Sequence, residues 1–265
     1  MSKIGESILR KLSRDPKGED YVNELYEKRH RDVDTYINTL LGCFPNLREM
    51  INNKKVLDIG CSEGMESLAL SVLGADEVFG IDIRIDSSKN EEILNQNPNR
   101  RLKFAVMDAE KTTFSNETFD AIVTIASFEH FNDPGAVLKE CVRVLKDDGR
   151  IYLTSGVWAH PWGSHMNFFT KVPWVQFFFS ESTIMNVRSL YRNDGAIKFA
   201  EVEGGLNKVG IRRFLKIVKD LNLKMEYLKL NPVKGLAPLT KIPLINELFT
   251  NVIVSILKNN FKLQL

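Results

Sequence analysis

The chain has 265 residues, of which 43% are apolar, and it carries a formal net charge of +2 at pH 7. This composition is typical of a globular protein with a sizeable core, and the nearly neutral charge gives no support to a nucleic-acid-binding protein. Three dispersed cysteines, Cys43, Cys61 and Cys141, favour reduced thiols over a disulfide framework. The polar first 18 residues carry no secretory signal and no apolar run approaches the ~20 residues of a membrane span, so we expect a cytoplasmic protein without a span.

The first 50 residues predict mostly helical structure. Residues 1–18 are rich in charge and are expected to be a loosely ordered lead-in. Residues 19–41 place apolar side chains at roughly helical spacing, and Gly42 and Pro45 end the predicted helix.

A strand, a glycine turn and a helix follow one another between residues 55 and 73. Val56, Leu57 and Ile59 form a short apolar run that is typical of a buried strand. Gly60 and Gly64 interrupt this run, and helical spacing resumes after them. Glycines let a ligand approach the backbone closely, and a helix N-terminus offers unpaired N–H groups. The stretch therefore predicts a ligand-binding turn, with a plain strand-to-helix connection as the alternative.

Two further apolar runs each end in a carboxylate. Residues 78–82 end at Asp82, and residues 102–108 end at Asp108. An acidic residue about 20 residues past the glycine turn is well placed to accept hydrogen bonds from ribose hydroxyls. Three consecutive strands with ligand groups at their carboxyl ends predict one edge of an open α/β sheet.

The rest of the chain continues this alternation with one interruption. Further helices are predicted from an N-cap at Ser87 to about residue 95, over residues 136–145 after Pro134, and over residues 207–221. Further strands are predicted over residues 119–125, 150–154, 223–230 and 253–257. The interruption, residues 157–200, holds a dense group of aromatic side chains, namely Trp158, Trp162, Phe168, Phe169, Trp174, Phe177, Phe178 and Phe179.

Five segments of the sequence stand in a characteristic order: VLDIGCSEG, VFGID, FAVMDAE, FDAIVTIASFEHF and VLKDDGRIYLTSG. Together they resemble the successive motifs of class I S-adenosylmethionine-dependent methyltransferases of the small-molecule type. The likeness is good over residues 50–156 and loose over residues 200–258. It implies an α/β fold with a Rossmann-like, seven-stranded and mostly parallel sheet, helices on both faces, and an antiparallel edge strand from the C-terminal hairpin. One departure is Ser62, which stands where the family commonly has a third glycine.

The resemblance also implies a division of one methyltransferase domain that spans the whole chain. Residues 1–50 would form a helical cover, although its helix could equally serve packing alone. Residues 51–156 would be the cofactor-binding core, and residues 157–205 an aromatic-rich cap insertion beside the substrate cleft. Residues 206–265 would supply the C-terminal helix and the edge strands.

S-adenosyl-L-methionine is the cofactor that the resemblance implies. The backbone of residues 60–64 would face its methionine and ribose end, and Asp58 would orient its amino group, directly or through water. Asp82 would hold the ribose hydroxyls. For Asp58, capping or turn chemistry is the alternative.

The adenine end of the cofactor can be matched in the same way. Ile83 would pack on the ring, and Asp108 with the Ala109 N–H would read its polar edge, unless Asp108 serves only turn chemistry. The complete cofactor-binding set expected from the resemblance is Asp58, Gly60, Cys61, Ser62, Gly64, Asp82, Ile83, Asp108, Ala109 and Ala126.

Three histidines are the candidate catalytic residues. His130 follows the fourth strand, where an acceptor would enter, and is a candidate base. His160 and His165 are the better candidates, because a neutral imidazole near pH 7 suits deprotonation of a hydroxyl. Structural and substrate-binding roles stay open. Their spacing also leaves a metal open, but no Asp or Glu lies between Asp148 and Glu181, so a carboxylate ligand would come from elsewhere, and we assign no metal site from the sequence.

We expect an enzyme that O-methylates a small molecule, such as a sugar, a polyketide or a lipid-linked intermediate. The fourth-strand segment lacks the Asn-Pro-Pro-Tyr-like tetrad that marks methylation of nucleic-acid base amines in related enzymes. The aromatic segment either recognises a partly apolar acceptor or packs the cap. The alternatives are N- or C-methylation of a small molecule, or a non-catalytic regulator that binds the cofactor. Protein or RNA methylation gains no support from the charge, and the oligomeric state stays open.

Overall fold

The computed structural model describes residues 3–13 and 32–259, and in them seven strands form one sheet. The order across the sheet is β3-β2-β1-β4-β5-β7-β6. The strands are β1 (Lys55–Ile59), β2 (Glu77–Asp82), β3 (Arg101–Val106), β4 (Phe119–Thr124), β5 (Leu145–Gly156), β6 (Leu223–Pro232) and β7 (Thr250–Asn259).

The direction of the strands fixes where a ligand can bind. Strands β1 to β5 run parallel to one another, and β1 pairs with β2 on one side and with β4 on the other. The chain thus builds the sheet outward in one direction through β3 and then returns to the middle to build in the other direction. Ligands of open α/β sheets bind at such a switch point, outside the carboxyl ends of the strands.

With the last two strands included, the sheet is mostly parallel, as expected, but its edge strand is not the one expected. Strand β7 runs antiparallel to both β5 and β6. The expected antiparallel strand is therefore present, but it lies one position in from the edge, and β6 is the edge strand. The long connection between β6 and β7 allows β7, the later strand in the chain, to lie between β5 and β6.

Helices cover both faces of the sheet. They are α1 (Lys3–Leu12), α2 (Val33–Cys43), α3 (Leu47–Ile51), α4 (Met65–Val72), α5 (Ser87–Gln96), α6 (Pro134–Val144), α7 (Val175–Phe178), α8 (Glu181–Arg188), α9 (Ile211–Asp220) and α10 (Asn246–Phe249). No helix in the described ranges is both long and apolar enough to cross a membrane.

Alternation along the strands produces two separate cores. In β4, Ile122 belongs to the core under α6 and α9, whereas its neighbours Ala121 and Val123 belong to the core under α2, α3 and α4. Successive side chains of a strand point to opposite faces, so one strand supplies both cores. The Rossmann-like fold class is thereby confirmed.

Two local expectations differ from the structure. Residues 1–18 were expected to be loosely ordered, but α1 is a regular helix whose Leu9 is fully buried. Its apolar residues recur at helical spacing, which favours a helix even though the segment is highly charged. Asp86, not Ser87, caps α5, because its carboxylate accepts the Lys89 N–H at 3.2 Å. Most of the helix predicted over residues 19–41 lies outside the described residues, and α2 accounts for its end.

A third core lies within the segment predicted to be the cap. Met166, Phe169, Ile184 and Phe199 pack there against Leu9 of α1. Arg188 is 3% exposed and donates to Asp194 at 2.6 Å through Nη1. This small core ties the first helix to the cap, while the four-part division of the chain stays a prediction.

Gly80 in β2 is a position where a single methyl group should disturb the sheet. A Cβ there would lie 2.7 Å from Cδ1 of Phe104, 2.8 Å from Oγ of Ser67 and 2.9 Å from Cβ of Cys61. We expect Gly80→Ala to lower the free energy of unfolding by about 1–3 kcal/mol, since overpacking of a dense core costs that much. Urea denaturation monitored by circular dichroism measures the change.

Gly42 in α2 supplies the matched control. A Cβ at that position meets nothing within 4 Å. Gly42→Ala is therefore expected to raise the free energy of unfolding by about 0.5–1 kcal/mol, because alanine is the better helix former. Equal stability changes for the two variants would show that dense packing does not explain why a glycine is required at Gly80.

Candidate active site

The turns after β1 and β4 meet at the switch point of the sheet. Gly60 ends β1 with a φ of +83°, and its N–H donates to the Ile81 carbonyl at 2.8 Å. A Cβ on Gly60 would overlap the side chain of Ser127, which follows β4. Only glycine tolerates both this backbone angle and this approach. The predicted glycine turn is thus in contact with the segment where an acceptor was expected to enter.

Ser62 shows how the turn accommodates a residue other than glycine. Its φ is +45°, a left-handed conformation that costs roughly 1–2 kcal/mol for a residue with a Cβ. Its N–H donates to Oδ2 of Asp82 at 3.1 Å, and the Arg84 N–H donates to Oδ1 at 2.9 Å. The Asp82 carboxylate therefore fixes the turn and keeps lone pairs on both oxygens for a further donor.

Gly64 brings in two residues that sequence reasoning missed. With a φ of +90°, it lies so close to Phe104 and Asn90 that a Cβ would come within 2.7 Å and 2.9 Å of them. Asn90 is 3% exposed, and its Oδ1 has no hydrogen-bond partner among the described residues. These residues come from β3 and α5, and no local pattern in the sequence marks them as neighbours of the turn.

Asp58 lies beneath the turn and is almost completely buried. Its Oδ2 accepts a hydrogen bond from Ser67 at 2.6 Å. Burial raises the pKa of Asp58 to about 7; the Ser67 hydrogen bond opposes this shift, and the negative charge of Asp82 adds to it. A buried carboxylate without a cationic partner is poised to bind one.

The carboxyl ends of β2 and β3 present carboxylates next to exposed apolar side chains. Ile83 follows Asp82 and is 57% exposed, and Val106 at the end of β3 is 69% exposed. Asp108 is exposed, and its Oδ1 accepts the Glu110 N–H at 2.8 Å. Asp108 therefore makes a local turn with one oxygen of an exposed side chain, so the turn role and a ligand role are compatible.

The remaining predicted cofactor residues are backbone or packing positions. Ala109 and Cys61 are buried, and burial raises the pKa of the Cys61 thiol well above its usual value, so it is a poor nucleophile. Ala126 has a φ of +50°, and its N–H donates to Oγ1 of Thr154 at 2.9 Å. The structure thus places all ten predicted residues around the turns that follow β1 to β4.

A cleft lies beside the segment that follows β4. It is lined by Glu129, Gly156, Trp158, His160, Gly163, His165, Leu206, Lys208 and Val209. The Glu129 carboxylate lies directly over the Cα of Gly156, where a Cβ would come within 2.7 Å of its Oε1. Its other oxygen, Oε2, is buried and has no hydrogen-bond partner among the described residues.

Two of the predicted catalytic histidines, His160 and His165, line this cleft, and His130 packs against His165. The rings of His130 and His165 are 5.1 Å apart at 78°, and the ring of His130 is held through Nδ1 by the Gly205 carbonyl at 2.7 Å. His160 also lines the cleft, but burial and then the neighbouring His165 lower its pKa to about 4. His160 is consequently neutral near pH 7 and a weak proton acceptor.

Asn207 holds the turn that carries Glu129 and His130, and sequence reasoning did not find it. Its Nδ2 donates to the carbonyls of Phe128 at 2.7 Å and Phe131 at 2.9 Å. Its backbone N–H donates to the Glu129 carbonyl at 2.9 Å. One half-buried amide therefore fixes the position of the turn that carries Glu129 and His130.

The aromatic segment is divided between buried and exposed side chains, so packing is shown for part of it and acceptor recognition stays a prediction. Phe169 is buried in the cap core, and the ring of Trp158 packs against that of Phe199 at 4.9 Å. By contrast, Trp162 between the two cap histidines is 40% exposed, and Phe178 is 71% exposed. Part of the aromatic group packs the cap, and part remains as apolar surface beside the cleft.

Comparison with known proteins follows the same division of the chain. Residues 57–153, which run from β1 into β5, match the family model described as a methyltransferase domain. A curated relative, the ubiquinone biosynthesis O-methyltransferase of Idiomarina loihiensis, is 30% identical over 116 residues, which are 43% of this chain and 47% of that protein. The chain spans about half the length of the curated relatives it matches.

Solved structures show the same fold over most of the chain. An S-adenosylmethionine-dependent methyltransferase from Mesorhizobium loti superposes with a TM-score of 0.57 at 13% identity and covers 85% of this chain and 99% of that one. Geranyl diphosphate C-methyltransferase from Streptomyces coelicolor A3(2) gives a TM-score of 0.57 at 14% identity, covering 94% and 87% of the two chains.

The sheet order and the glycine turn with its carboxylates are those of the class I S-adenosylmethionine-dependent methyltransferase fold. Residues 57–153 are the part of this chain that matches the methyltransferase-domain family. Over these residues the match confirms the family predicted from the five sequence segments.

The raised pKa of Asp58 predicts a pH-dependent stability. The folded pKa of about 7 exceeds the ordinary value of 3.8, so between these values only the folded state keeps the proton. The contribution of Asp58 to the free energy of unfolding therefore falls as pH rises from about 4 to about 7, by at most about 1.4 kcal/mol per pH unit.

The test compares urea denaturation of the wild type and of Asp58→Asn across that pH window. Asparagine is neutral and keeps an acceptor for Ser67. We expect the stability of the wild type relative to the variant to decline with rising pH and to level off above about 7. A constant difference between the two proteins at every pH would contradict the assignment.

Proposed function

We propose that this protein transfers a methyl group from S-adenosyl-L-methionine to a hydroxyl oxygen of a small, partly apolar acceptor. The observation that carries the proposal is the contact between Gly60 and Ser127. It places the predicted cofactor turn against the segment that leads to Glu129 and His130. Donor and acceptor would then meet across the turn after β4.

The residues present fit the cofactor. Asp82 keeps free lone pairs on both oxygens, which suit two ribose hydroxyls, and the exposed Ile83 offers an apolar surface for the adenine ring. Asp108, which follows the neighbouring strand β3, would hold the polar edge of that ring. The buried charge of Asp58 would be stabilised by the amino group of the methionine part.

The chemistry asks the protein mainly for placement. A sulfonium already activates the methyl group when the cofactor is bound. The chain must hold the acceptor oxygen in line with the methyl and sulfur atoms, keep water out, and help the hydroxyl lose its proton. The cluster of Glu129, His130 and His165 is the group beside the β4 turn that prepares the acceptor oxygen.

The shape of the cleft limits what part of the acceptor it receives. The cleft is narrow, because its space of about 240 Å³ includes open solvent at the mouth. The reacting end would therefore enter, and the remainder would extend over the exposed Trp162. The O-methyltransferase name of the curated relatives, which concerns ubiquinone biosynthesis, supports an acceptor with a hydroxylated ring and an apolar remainder.

We also propose that the acceptor is not a nucleic acid and that the protein acts in the cytoplasm. The net charge of +2 provides no broad positive field for phosphates. The dispersed cysteines Cys43, Cys61 and Cys141 are free thiols, as in a reducing compartment.

Asp82 tests the cofactor assignment. Asp82→Ala removes a charged acceptor from two ribose hydroxyls and releases the N–H groups of Ser62 and Arg84. We expect S-adenosylmethionine to bind about 1.5–3 kcal/mol more weakly, which is roughly a 10- to 150-fold increase in Kd. Isothermal titration calorimetry measures this directly.

Asp76 is the matched control, because it lies just before β2 at the opposite end of the strand. It forms an exposed ion pair with Arg101 at 2.7 Å. Asp76→Ala should leave the cofactor Kd unchanged. If Asp82→Ala also left it unchanged, the cofactor would not bind at the carboxyl end of β2.

The acceptor side predicts a different kinetic pattern. His165→Ala should lower kcat at least tenfold, because it removes a member of the cluster that prepares the hydroxyl, while the cofactor Kd stays near the wild-type value. Trp162→Ala should mainly raise the acceptor KM, since it removes exposed apolar surface beside the cleft. Tyr227→Ala, on the edge strand β6, should change neither.

The experiment uses methyl-labelled S-adenosylmethionine and a panel of hydroxylated ring compounds with and without apolar chains. Labelled ether products that depend on the wild-type protein are the expected result. Wild-type rates in both the His165 and the Trp162 variants would place the acceptor elsewhere. Label found only on nitrogen or carbon would overturn the O-methylation.

A further inference from the structure

We infer that Glu129, His130 and His165 form a binding site for one divalent transition-metal ion of the zinc type. The three side chains each bring one ligand atom, and these atoms all lie within 4.8 Å of one another. Two imidazoles and one carboxylate are a donor set that proteins use for zinc, with further coordination positions left open. The binding of the ion itself does not depend on methyl transfer.

The spacing requires only a small contraction. Ligand atoms about 2.0–2.2 Å from a tetrahedral zinc ion are roughly 3.3–3.6 Å apart. Side-chain rotations that move the ligand atoms by about 1 Å would bring them from the observed limit of 4.8 Å to that separation. These rotations leave the backbone in place, and Asn207 holds the turn that carries Glu129 and His130.

The hydrogen bond of His130 prepares its ring to bind a metal. Nδ1 lies 2.7 Å from the Gly205 carbonyl, which can only accept, so Nδ1 carries the proton. Nε2 of the neutral ring then presents its lone pair. Metal-bound histidines usually donate their second ring N–H to a carbonyl or carboxylate in this way, which fixes both tautomer and orientation.

Glu129 supplies an independent observation. Its Oε2 is buried without a hydrogen-bond partner among the described residues, and a carboxylate oxygen in that state is strongly unfavourable. Lys208 also lines the cleft, but its ammonium pairs with Glu181 at 3.4 Å and lies over the rings of Trp158 and Phe199. A cation within the cluster would satisfy Oε2 directly.

His165 reaches the cluster because the cap loop is held tightly. Its backbone is left-handed, with a φ of +56°, and its N–H donates to the Trp162 carbonyl at 3.0 Å. Gln176 donates from Nε2 to the carbonyls of Trp158 and His160, each at 3.0 Å. Gly163 permits the fold of this loop, since a Cβ there would overlap the Trp158 carbonyl. The loop thus presents His165 from a rigid support, as a metal ligand requires.

The ion would also explain how the acceptor hydroxyl is prepared, a step that depends on the proposed function. Two of the three ligands, Glu129 and His165, line the cleft. A hydroxyl oxygen bound at an open position of the ion loses its proton more readily, because the metal charge stabilises the oxyanion.

Cobalt(II) is the probe for the site, because it replaces zinc and absorbs visible light when bound. Chelator-treated, tag-free full-length protein is titrated with Co²⁺ in the absence of cofactor. We expect one equivalent to give a ligand-field band that zinc displaces. Glu129→Gln and His165→Asn should each weaken Co²⁺ at least tenfold. His160→Asn, from the same cleft but outside the cluster, should keep the wild-type affinity.

Circular dichroism and thermal unfolding establish that each variant is folded, and the two ligand variants serve as independent tests. Absence of a cobalt band in the wild type would overturn the site. So would wild-type affinity in both folded ligand variants, or a sulfur-to-cobalt charge-transfer band, which would place the ion on a cysteine. Normal cobalt binding without methyl transfer to any hydroxyl would uphold the site and overturn the proposed function instead.

Discussion

The close approach of Gly60 to Ser127 is the constraint on which the site depends. The two residues follow β1 and β4, which pair in the centre of the sheet but lie far apart in the chain. Because glycine leaves no side chain at this point, the two turns touch, and one crevice serves both halves of the sheet. A larger residue would separate the predicted cofactor turn from the segment that leads to Glu129 and His130.

Carboxyl groups are concentrated on the side of this contact where the cofactor is predicted to bind. Asp58, Asp82 and Asp108 lie at or near the carboxyl ends of three adjacent strands, and Glu66 follows in the first turn of α4. Burial and the charge of Asp58 raise the pKa of Glu66, and burial raises that of Asp58. A cofactor that carries a sulfonium and an ammonium group relieves this accumulation, so the electrostatics of the site favour a cationic ligand.

The sequence was informative where chemistry follows a strand directly. Short apolar runs with terminal carboxylates located Asp58, Asp82 and Asp108, and the order of the segments predicted the sheet. It was silent on Asn90 and Asn207, because their contacts join elements that are distant in the chain. Local patterns also did not single out Glu129. Its Oε2 is buried without a hydrogen-bond partner among the described residues, and no local pattern can reveal such an oxygen.

The position of β7 explains why the cap can contribute to the site. Residues 157–205 leave the sheet directly after β5, and β7 pairs with β5 up to Gly156. The Val157 N–H then donates to the Asn251 carbonyl at 3.1 Å, so the start of the cap is anchored to the sheet. At its far end, Asn207 binds the turn after β4. Because it is anchored near both ends, the segment predicted to be the cap holds His165 against His130.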